Sequence, residues 1–324
     1  MSSNFNTNNQ EFIVTVEGGL GAQIISLSVY YFLKKLNYKV LLDLSYFDNK
    51  AFTAQEGDGK LSIWKWELEH YGIKIKSLDW IKIHKLKKYM SGNLRDKNEA
   101  ITVLNFNNSL KKYKSALNED FSSFHINKIN NLNNKKYDIN DFFSANPILI
   151  SDGKTKIKLF TEAMHDELIK KKFIYNDSDC LQVIKKENIN FDNTCSVHLR
   201  RGDFVNVANE MVSYEEIINI CKKLPKKIKN ILVFSDSSIE NNLDLYNTLS
   251  SLFKKVSWLN NVNSIVTHQL MRISCTLICS NSQFSISAAY LSDNTSLIPN
   301  KNNTKYFLPL NNKYSPEIFT LLNT

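Results

Sequence analysis

The sequence lacks the features that mark secreted, disulfide-bonded and membrane-spanning proteins. Its five cysteines are odd in number and include no Cys-x-x-Cys pair, which excludes a disulfide framework and a zinc site of familiar spacing. Residues 1–10 contain no basic region followed by an apolar core, and no apolar run approaches the length of a transmembrane helix. We therefore expect a cytoplasmic protein that at most binds the face of a membrane.

Acidic residues are too few to balance the basic ones. The chain has 41 Lys and Arg against 32 Asp and Glu, a net charge of +9 at pH 7. Such an excess fits a phosphate-bearing substrate, nucleic acid or an anionic membrane surface. A basic binding module for nucleic acid or membrane is the alternative of another class. It would need clustered Lys and Arg interleaved with aromatic residues, whereas the lysines here are dispersed. With 43% hydrophobic residues in 324, the chain can bury the core of two domains or of one large α/β unit.

The first fifty residues predict a strand, a glycine turn, a helix and a second strand. The strands are expected at 11–16 and 40–44, and apolar residues recur at helical spacing over 22–36. This is a βαβ unit, which implies a parallel sheet. Gly19 and Gly21 in the turn let a ligand approach the backbone. The turn is neither a dinucleotide fingerprint, because Ile24 replaces its last glycine, nor a P-loop.

The middle of the chain carries weaker signals. Residues 61–71 fit a strand or a short helix, residues 77–89 form a basic amphipathic segment, and residues 156–173 predict one helix. No proline- or glycine-rich linker marks a domain junction. We place the junction between residues 165 and 166, giving an N-terminal domain of residues 1–165 and a C-terminal domain of residues 166–324.

The C-terminal half alternates strands and helices, and polar clusters follow three of its strands. These residues are His198, Arg200, Arg201 and Asp203 after the strand at 194–199, Ser235 and Asp236 after the strand at 229–234, and Asn281, Ser282 and Ser285 after the strand at 276–279. Helices are expected near 213–223, with Ser213 and Glu216 as a capping box, and at 243–253, 268–274 and 286–291. In open α/β sheets, ligands bind at the carboxyl ends of the strands.

The chemistry of these clusters indicates a nucleotide-diphosphate site that needs no metal. Arg200 and Arg201 are permanently charged forks suited to phosphate, although an isolated Arg-Arg-Gly-Asp also fits a surface salt bridge. The serines and backbone N–H groups around residue 282 suit a diphosphate, and Asp236 suits a nucleoside. The one Asp-x-Asp, residues 177–179, follows no clear strand, and Asp179 fits a helix cap, so we predict no metal site there.

Four ordered segments of the chain resemble glycosyltransferase family 11, the α-1,2-fucosyltransferases of bacterial O-antigen and capsule synthesis. The segments are Gly18-Gly19-Leu20-Gly21-Ala22-Gln23, Val197-His198-Leu199-Arg200-Arg201-Gly202-Asp203-Phe204, Phe234-Ser235-Asp236, and Leu270-Met271 leading to Asn281-Ser282-Gln283-Phe284-Ser285. The resemblance implies a GT-B fold of two Rossmann-like domains facing a central cleft. It also implies GDP-β-L-fucose as donor, inversion at the anomeric carbon and no metal or other cofactor.

The chain departs from the family pattern at several positions. Ala22 replaces a usual Asn, Ser237 replaces the second Asp of Ser-Asp-Asp, and Thr267 replaces an Asp. Ile286-Ser287 stands where the family has paired tryptophans. These departures leave two alternatives open: a related donor such as GDP-colitose, and an inactive relative.

The expected reaction is a single inverting displacement that moves L-fucose to the 2-hydroxyl of an acceptor sugar, such as galactose. Arg200 neutralises charge on the departing β-phosphate, and Arg201 assists it or is held structurally. Asp203 and His198 are candidates for the base that activates the acceptor hydroxyl, with Glu17 as a third. The partners are then a GDP-deoxysugar and an oligosaccharide, free or lipid-linked. Peripheral contact with the cytoplasmic face of the inner membrane is left open, and no nucleic acid is expected.

Overall fold

Two compact α/β units make up the chain. The computed structural model describes residues 11–44, 47, 54–55, 61–62, 65–73, 148–150, 153–175, 178–201 and 211–299. The N-terminal unit comprises Met1–Ala54, Ser62–Trp66 and Ile73–Ile169, and the C-terminal unit comprises Gln55–Leu61, Glu67–Gly72 and Lys170–Thr324. Two short pieces from the first quarter of the sequence therefore belong to the C-terminal unit.

The N-terminal unit contains a three-stranded parallel sheet. Its described elements are β1 (Glu11–Thr15), α1 (Leu20–Lys35), β2 (Lys39–Asp43), β5 (Ile148–Ile150), α2 (Gly153–Ala163) and the start of α3 (Glu167–Lys171). The strand order is β2-β1-β5, and β1 pairs in parallel with both neighbours. Two two-residue strands, β3 (Ala54–Gln55) and β4 (Leu61–Ser62), pair with each other. Helix α1 is buried from Leu20 to Val29 apart from Ala22, because α2 packs against it.

The C-terminal unit contains a five-stranded, all-parallel sheet. Its elements are α4 (Ser178–Glu187), β6 (Thr194–Leu199), α5 (Tyr214–Lys222), β7 (Asn230–Ser235), α6 (Leu243–Leu252), β8 (Lys255–Leu259), α7 (Ser264–Ile273), β9 (Thr276–Ile278), α8 (Gln283–Leu291) and β10 (Thr295–Leu297). The strand order is β10-β9-β6-β7-β8. The chain moves outward from β6 to β8, then returns to β9 on the other side of β6.

This strand order puts a topological switch point between β6 and β9. The right-handed crossover rule assigns α5 and α6 to one face of the sheet and α7 and α8 to the other. The packing agrees, because α5 contacts α6 and α7 contacts α8. In doubly wound sheets a ligand crevice opens at the carboxyl ends of the strands that flank the switch point. The segments after β6 and β9 are therefore expected to line a ligand site.

Strand β6 lies at the centre of this unit and is buried along its whole length. Cys195, Val197 and Leu199 face the apolar core that includes Ile217 on α5 and Leu245 on α6. The alternate residues are polar and point to the opposite face, where Ser196 Oγ lies 2.5 Å from Ser274 Oγ at the end of α7.

The predicted α/β class with parallel sheets is confirmed in both units. Most predicted elements are present with ends shifted by one or two residues, and the capping box of Ser213 and Glu216 is confirmed. The arrangement of the two units around a cleft stays a prediction, as do the assignments of acceptor and donor sides. No helix among the described residues is long and apolar enough to span a membrane.

Three helix predictions were wrong in their bounds, and side-chain caps explain each. The helix expected at 156–173 is two helices, because Asp166 Oδ1 accepts from Leu168 N at 2.9 Å and starts α3. Helix α7 begins four residues early, since Asn263 Oδ1 caps Ile265 N at 2.9 Å. Helix α8 begins at Gln283, because Ser282 Oγ accepts from Phe284 N at 3.3 Å. The amphipathic segment 77–89 lies outside the described residues.

Candidate functional site

Arg200 lies directly after β6, at the switch point. Its Nη1 atom is 3.0 Å from Asp236 Oδ2, which follows β7. About a quarter of each side chain is exposed, 23% for Arg200 and 25% for Asp236, so the ion pair lies at a surface that a ligand can reach. A guanidinium held in one orientation by a carboxylate is preorganised for a second anionic partner.

Asp236 connects both arginines of the cluster. While its Oδ2 atom pairs with Arg200, its Oδ1 atom accepts a hydrogen bond from the backbone N–H of Arg201 at 2.7 Å. The same carboxylate therefore fixes the backbone between the two arginines and the direction of the Arg200 side chain. The predicted contact of Asp236 with a nucleoside stays a prediction.

Arg201 is buried and points into the protein. Its Nη2 atom donates to Val212 O at 3.0 Å, and its guanidinium carbon lies 4.7 Å from the centre of the Tyr214 ring. Only 9% of Arg201 is exposed. These contacts favour the structural role that the sequence left open for this residue. Asp203 lies outside the described residues, so its candidacy as a base stays a prediction.

His198 is the buried polar residue that connects β6 to the segment after β9. Its Nδ1 atom lies 2.7 Å from Ser280 Oγ, and Ser280 Oγ lies 3.5 Å from Ser285 Oγ. Burial lowers the pKa of His198 to about 3, and the charge of Arg200 adds to the decrease. His198 is therefore a neutral imidazole at physiological pH. A base with so low a pKa is a weak proton acceptor, which favours a positioning role.

The segment after β9 forms the N-terminus of α8. Asn281 and Ser285 are buried, and Ser285 Oγ lies within 3.4 Å of both Ser280 O and Ser282 O. Ser282 Oγ caps the helix, which leaves the hydroxyl proton of Ser282 able to donate. The first N–H groups of this nine-residue helix thus begin beside His198, at the carboxyl edge where Arg200 follows the adjacent strand β6, and they favour an anion.

Phe284 connects α8 to the two buried histidines of this unit. Its ring centre lies 5.4 Å from that of His198 and 5.5 Å from that of His268 on α7. The first turns of α7 and α8 and the end of β6 therefore lie close together around one aromatic ring. No feature of the local sequence identified Phe284 as this contact.

Ser235 and the residues after it form a tightly bonded turn. Ser235 Oγ accepts from Ser237 N at 3.0 Å, Trp258 Nε1 donates to Ser237 O at 2.9 Å, and Asn242 Nδ2 donates to Ser238 O at 2.6 Å. These bonds hold the turn that carries Asp236. Ser237, which replaces the second family Asp, thus contributes backbone contacts to the rigidity of the turn.

The positions of the missing tryptophans lie in the interior. Ile286 and Ser287 are at most 1% exposed, and Ser287 Oγ lies 3.0 Å from His268 Nε2. Both positions are therefore buried, and Ser287 contacts α7 instead of solvent.

The glycine turn of the N-terminal unit has its own geometry. Gly18 has a φ of 75°, which a residue with a side chain rarely adopts, and a Cβ there would lie 3.3 Å from that of Ala22. Gln23 Nε2 donates to Gly18 O at 2.9 Å and to Lys65 O at 2.7 Å. Gly19 is the N-cap of α1, and Gly21 lies in its buried first turn. The turn therefore requires glycine at position 18, one residue before the pair singled out by sequence.

Glu17, the third candidate base, pairs with a buried lysine at that turn. Lys156 Nζ lies 3.4 Å from Glu17 Oε1, and the two side chains are 5% and 49% exposed. The pairing engages one carboxylate oxygen of Glu17, whose role as a base stays a prediction.

Glu67 was missed by the sequence reasoning. It precedes the 3₁₀ turn Leu68–Tyr71, and its Oε2 atom accepts a hydrogen bond from Ser264 Oγ at 2.8 Å, at the start of α7. Burial raises the pKa of Glu67, although the Ser264 bond and His70 oppose the increase. No local pattern pairs residues separated by 197 positions.

No family model matches the chain, and no curated protein matches it. Among solved structures, the chain is similar to NodZ alpha-1,6-fucosyltransferase co-crystallised with GDP, at 12% identity and a TM-score of 0.41, over 88% of this chain and 93% of that one. It is also similar to POFUT1 in complex with GDP-fucose, at 13% identity and a TM-score of 0.47, over 92% and 99% of the two chains. Both TM-scores are below 0.5, so the proposals that follow rely on the residues of the chain itself.

Proposed function

We propose that the protein is a glycosyltransferase of the GT-B type that transfers a deoxysugar, L-fucose, from GDP-fucose to a sugar hydroxyl. The observation that carries the proposal is Arg200, held by Asp236 at the switch point beside the N-terminus of α8. A fixed cation and a helix N-terminus together provide two kinds of contact with a diphosphate. The family 11 resemblance of the same residues favours GDP-fucose, galactose O2 as the acceptor atom and inversion.

The proposed chemistry places each group in a stated role. The acceptor oxygen attacks C1 of fucose, the bond from C1 to the β-phosphate oxygen breaks, and GDP departs with the electron pair. Arg200 offsets the charge that develops on the β-phosphate, so no metal is required in this proposal. Ser282 and the first N–H groups of α8 bind the diphosphate, the buried Ser285 hydroxyl holds this turn through Ser280 O and Ser282 O, and the N-terminal unit binds the acceptor.

Cytoplasmic O-antigen or capsule synthesis is the proposed setting, with the growing oligosaccharide as partner. The setting follows from the family resemblance and from the basic charge of the chain, which favours a phosphate-bearing donor. Peripheral contact with the inner membrane remains part of the proposal only if the acceptor is lipid-linked.

A mass-spectrometric donor screen tests the proposal. GDP-fucose, GDP-colitose, GDP-mannose and UDP-sugars are incubated with short galactose-containing oligosaccharides in EDTA. We expect a mass increase of one deoxyhexose with GDP-fucose alone. Transfer from GDP-colitose alone would support the proposed GDP-sugar site but show that its donor is GDP-colitose instead of GDP-fucose. Absence of transfer from every GDP-sugar, together with salt-sensitive RNA or vesicle binding, would favour a binding module.

A further inference from the structure

We propose that Glu67 is the general base that removes the proton from the acceptor hydroxyl; this inference rests on the proposed function. The residue comes from the first quarter of the sequence but packs on the C-terminal unit. The step is balanced within the transfer reaction: the acceptor oxygen bonds to C1 of fucose, its proton moves to the Glu67 carboxylate, and GDP leaves.

The position of Glu67 follows from the path of α7. This helix connects β8 to β9, so in a parallel sheet it begins at the carboxyl edge, where Arg200 and Asp236 also lie. Glu67 Oε2 is bonded to Ser264, the first residue of α7. His268 is one helical turn further, about 6 Å along the axis. The His268 ring packs against Phe284, and Phe284 packs against His198 at the end of β6. The first turn of α7 and the Phe284 ring therefore connect Glu67 to the switch point.

The segment that carries Glu67 is firmly attached to the C-terminal unit. Leu68 is fully buried, and the Tyr71 ring packs edge-on against Phe173 with centres 5.8 Å apart. Gln269 Nε2 on α7 donates to Tyr71 Oη at 3.4 Å and to Phe173 O at 3.1 Å. Gly72 ends the 3₁₀ turn with a φ of 70°. These contacts fix the backbone of the turn and with it the direction of the Glu67 side chain.

The surroundings of Glu67 suit a base better than those of Asp236. Both oxygens of Asp236 are engaged by the Arg200 guanidinium and the Arg201 N–H, which stabilise the charged carboxylate and weaken it as a proton acceptor. Among the contacts of the described residues, Glu67 accepts a hydrogen bond from the Ser264 hydroxyl and is partly buried, and burial raises its pKa. A carboxylate with a raised pKa takes a proton more readily, which suits a general base.

The test compares Glu67→Gln with Glu69→Gln, an exposed glutamate on the same 3₁₀ turn. Glutamine keeps an oxygen for the Ser264 bond, so we expect both variants to fold and to bind GDP like the wild type. The rate of GDP-fucose consumption in a single turnover, with galactosides or water as acceptor, should fall about 10²- to 10⁴-fold in Glu67→Gln only. Equal rates in the two variants would overturn the inference.

The pH dependence provides a readout that a purely structural role would not change. The wild-type rate should rise with pH through an acid limb that lies above the ordinary range of glutamate, and the limb should be absent in Glu67→Gln. Among the described residues, His70 and Tyr71 are electrostatically coupled to Glu67, and both are unchanged in this variant. In Ser264→Ala the bond that lowers the pKa of Glu67 is lost, so the limb should shift to higher pH. An unmoved limb in Ser264→Ala contradicts the inference even if Glu67→Gln fails to fold.

The outcomes also distinguish this inference from the proposed function. A wild-type protein that neither binds GDP nor consumes GDP-fucose overturns the proposed function and the inference with it. If the wild type consumes GDP-fucose and Glu67→Gln consumes it equally fast, only the role of Glu67 is overturned.

Discussion

At the scale of single residues, two adjacent arginines have different surroundings. Arg200 is partly exposed and paired with Asp236, whereas Arg201 is buried against Tyr214 and Val212. The sequence predicted that Arg200 binds phosphate. It left open whether Arg201 also binds phosphate or has a structural role. The choice depends on which side chain turns inward at the end of β6, and that depends on the position of Tyr214, which follows a segment outside the described residues.

Substitution of each arginine by alanine should separate these roles. Arg200→Ala should lower the rate of transfer by about 10²-fold or more with little change in thermal stability, because it removes a preorganised charge. Arg201→Ala should lower the free energy of unfolding by about 2 kcal/mol, because it leaves Val212 O without its donor. Rate assays and urea denaturation measure the two effects. The reverse pattern would show that Arg201 is the phosphate ligand.

At the scale of elements, the local sequence predicted the strands and most helices, but the helix starts depended on caps. Short runs of apolar and small residues identified β6, β7 and β9, since a parallel strand is buried on both faces. The starts of α7 and α8 were missed because the side-chain caps Asn263 and Ser282 set them, and apolar spacing alone does not locate a cap. The sequence also gave no signal that α7 and α8 share a buried polar contact.

That contact joins His268 to Ser287. Ser287 Oγ donates to Phe284 O at 3.0 Å, so it accepts from His268, which assigns the ring proton to Nε2. Both side chains are completely buried. Position 287 has no space for the tryptophan of the family pattern in this packing.

Removal of the Ser287 hydroxyl should destabilise the packing of α7 on α8. We expect Ser287→Ala to lower the free energy of unfolding by about 1–3 kcal/mol, because a buried N–H loses its acceptor. Ser250→Ala, at an exposed position of α6, is the matched control and should change stability little. Chemical denaturation measures both, and equal stabilities would show that the His268 bond contributes nothing.

At the scale of the whole molecule, local sequence carries little information on how the chain divides into units. The sequence placed a junction near residue 165, and the C-terminal unit resumes at Lys170. The pieces Gln55–Leu61 and Glu67–Gly72 were not foreseen, because contacts such as Gln269 with Tyr71 join residues 198 positions apart. Local periodicity carries no information on such contacts. The sequence likewise did not show that the switch point lies between β6 and β9, because this depends on the order of the strands in the sheet.

The buried histidines should make the C-terminal unit sensitive to acid. Burial lowers the pKa of His198 and of His268 to about 3, whereas an unfolded histidine titrates near 6.5. Between these values the unfolded state binds more protons, so stability is complete above about pH 6.5 and decreases as pH falls. Each histidine contributes a slope of up to about 1.4 kcal/mol per pH unit.

Replacement of one histidine tests this account of acid sensitivity. His268→Gln keeps an N–H for Ser287 and removes one titrating group. The free energy of unfolding, measured between pH 4 and pH 7, should therefore depend less steeply on pH in the variant. An unchanged slope would show that His268 is not buried in its neutral form.

The most direct test of the central claim is calorimetric titration of GDP into the protein in EDTA. The account predicts that the wild type and Lys222→Ala, an exposed charge on α5, bind GDP alike, and that Arg200→Ala binds it about tenfold or more weakly. Absence of GDP binding by the wild type, or equal affinity in Arg200→Ala, would contradict a GDP-sugar site at the end of β6.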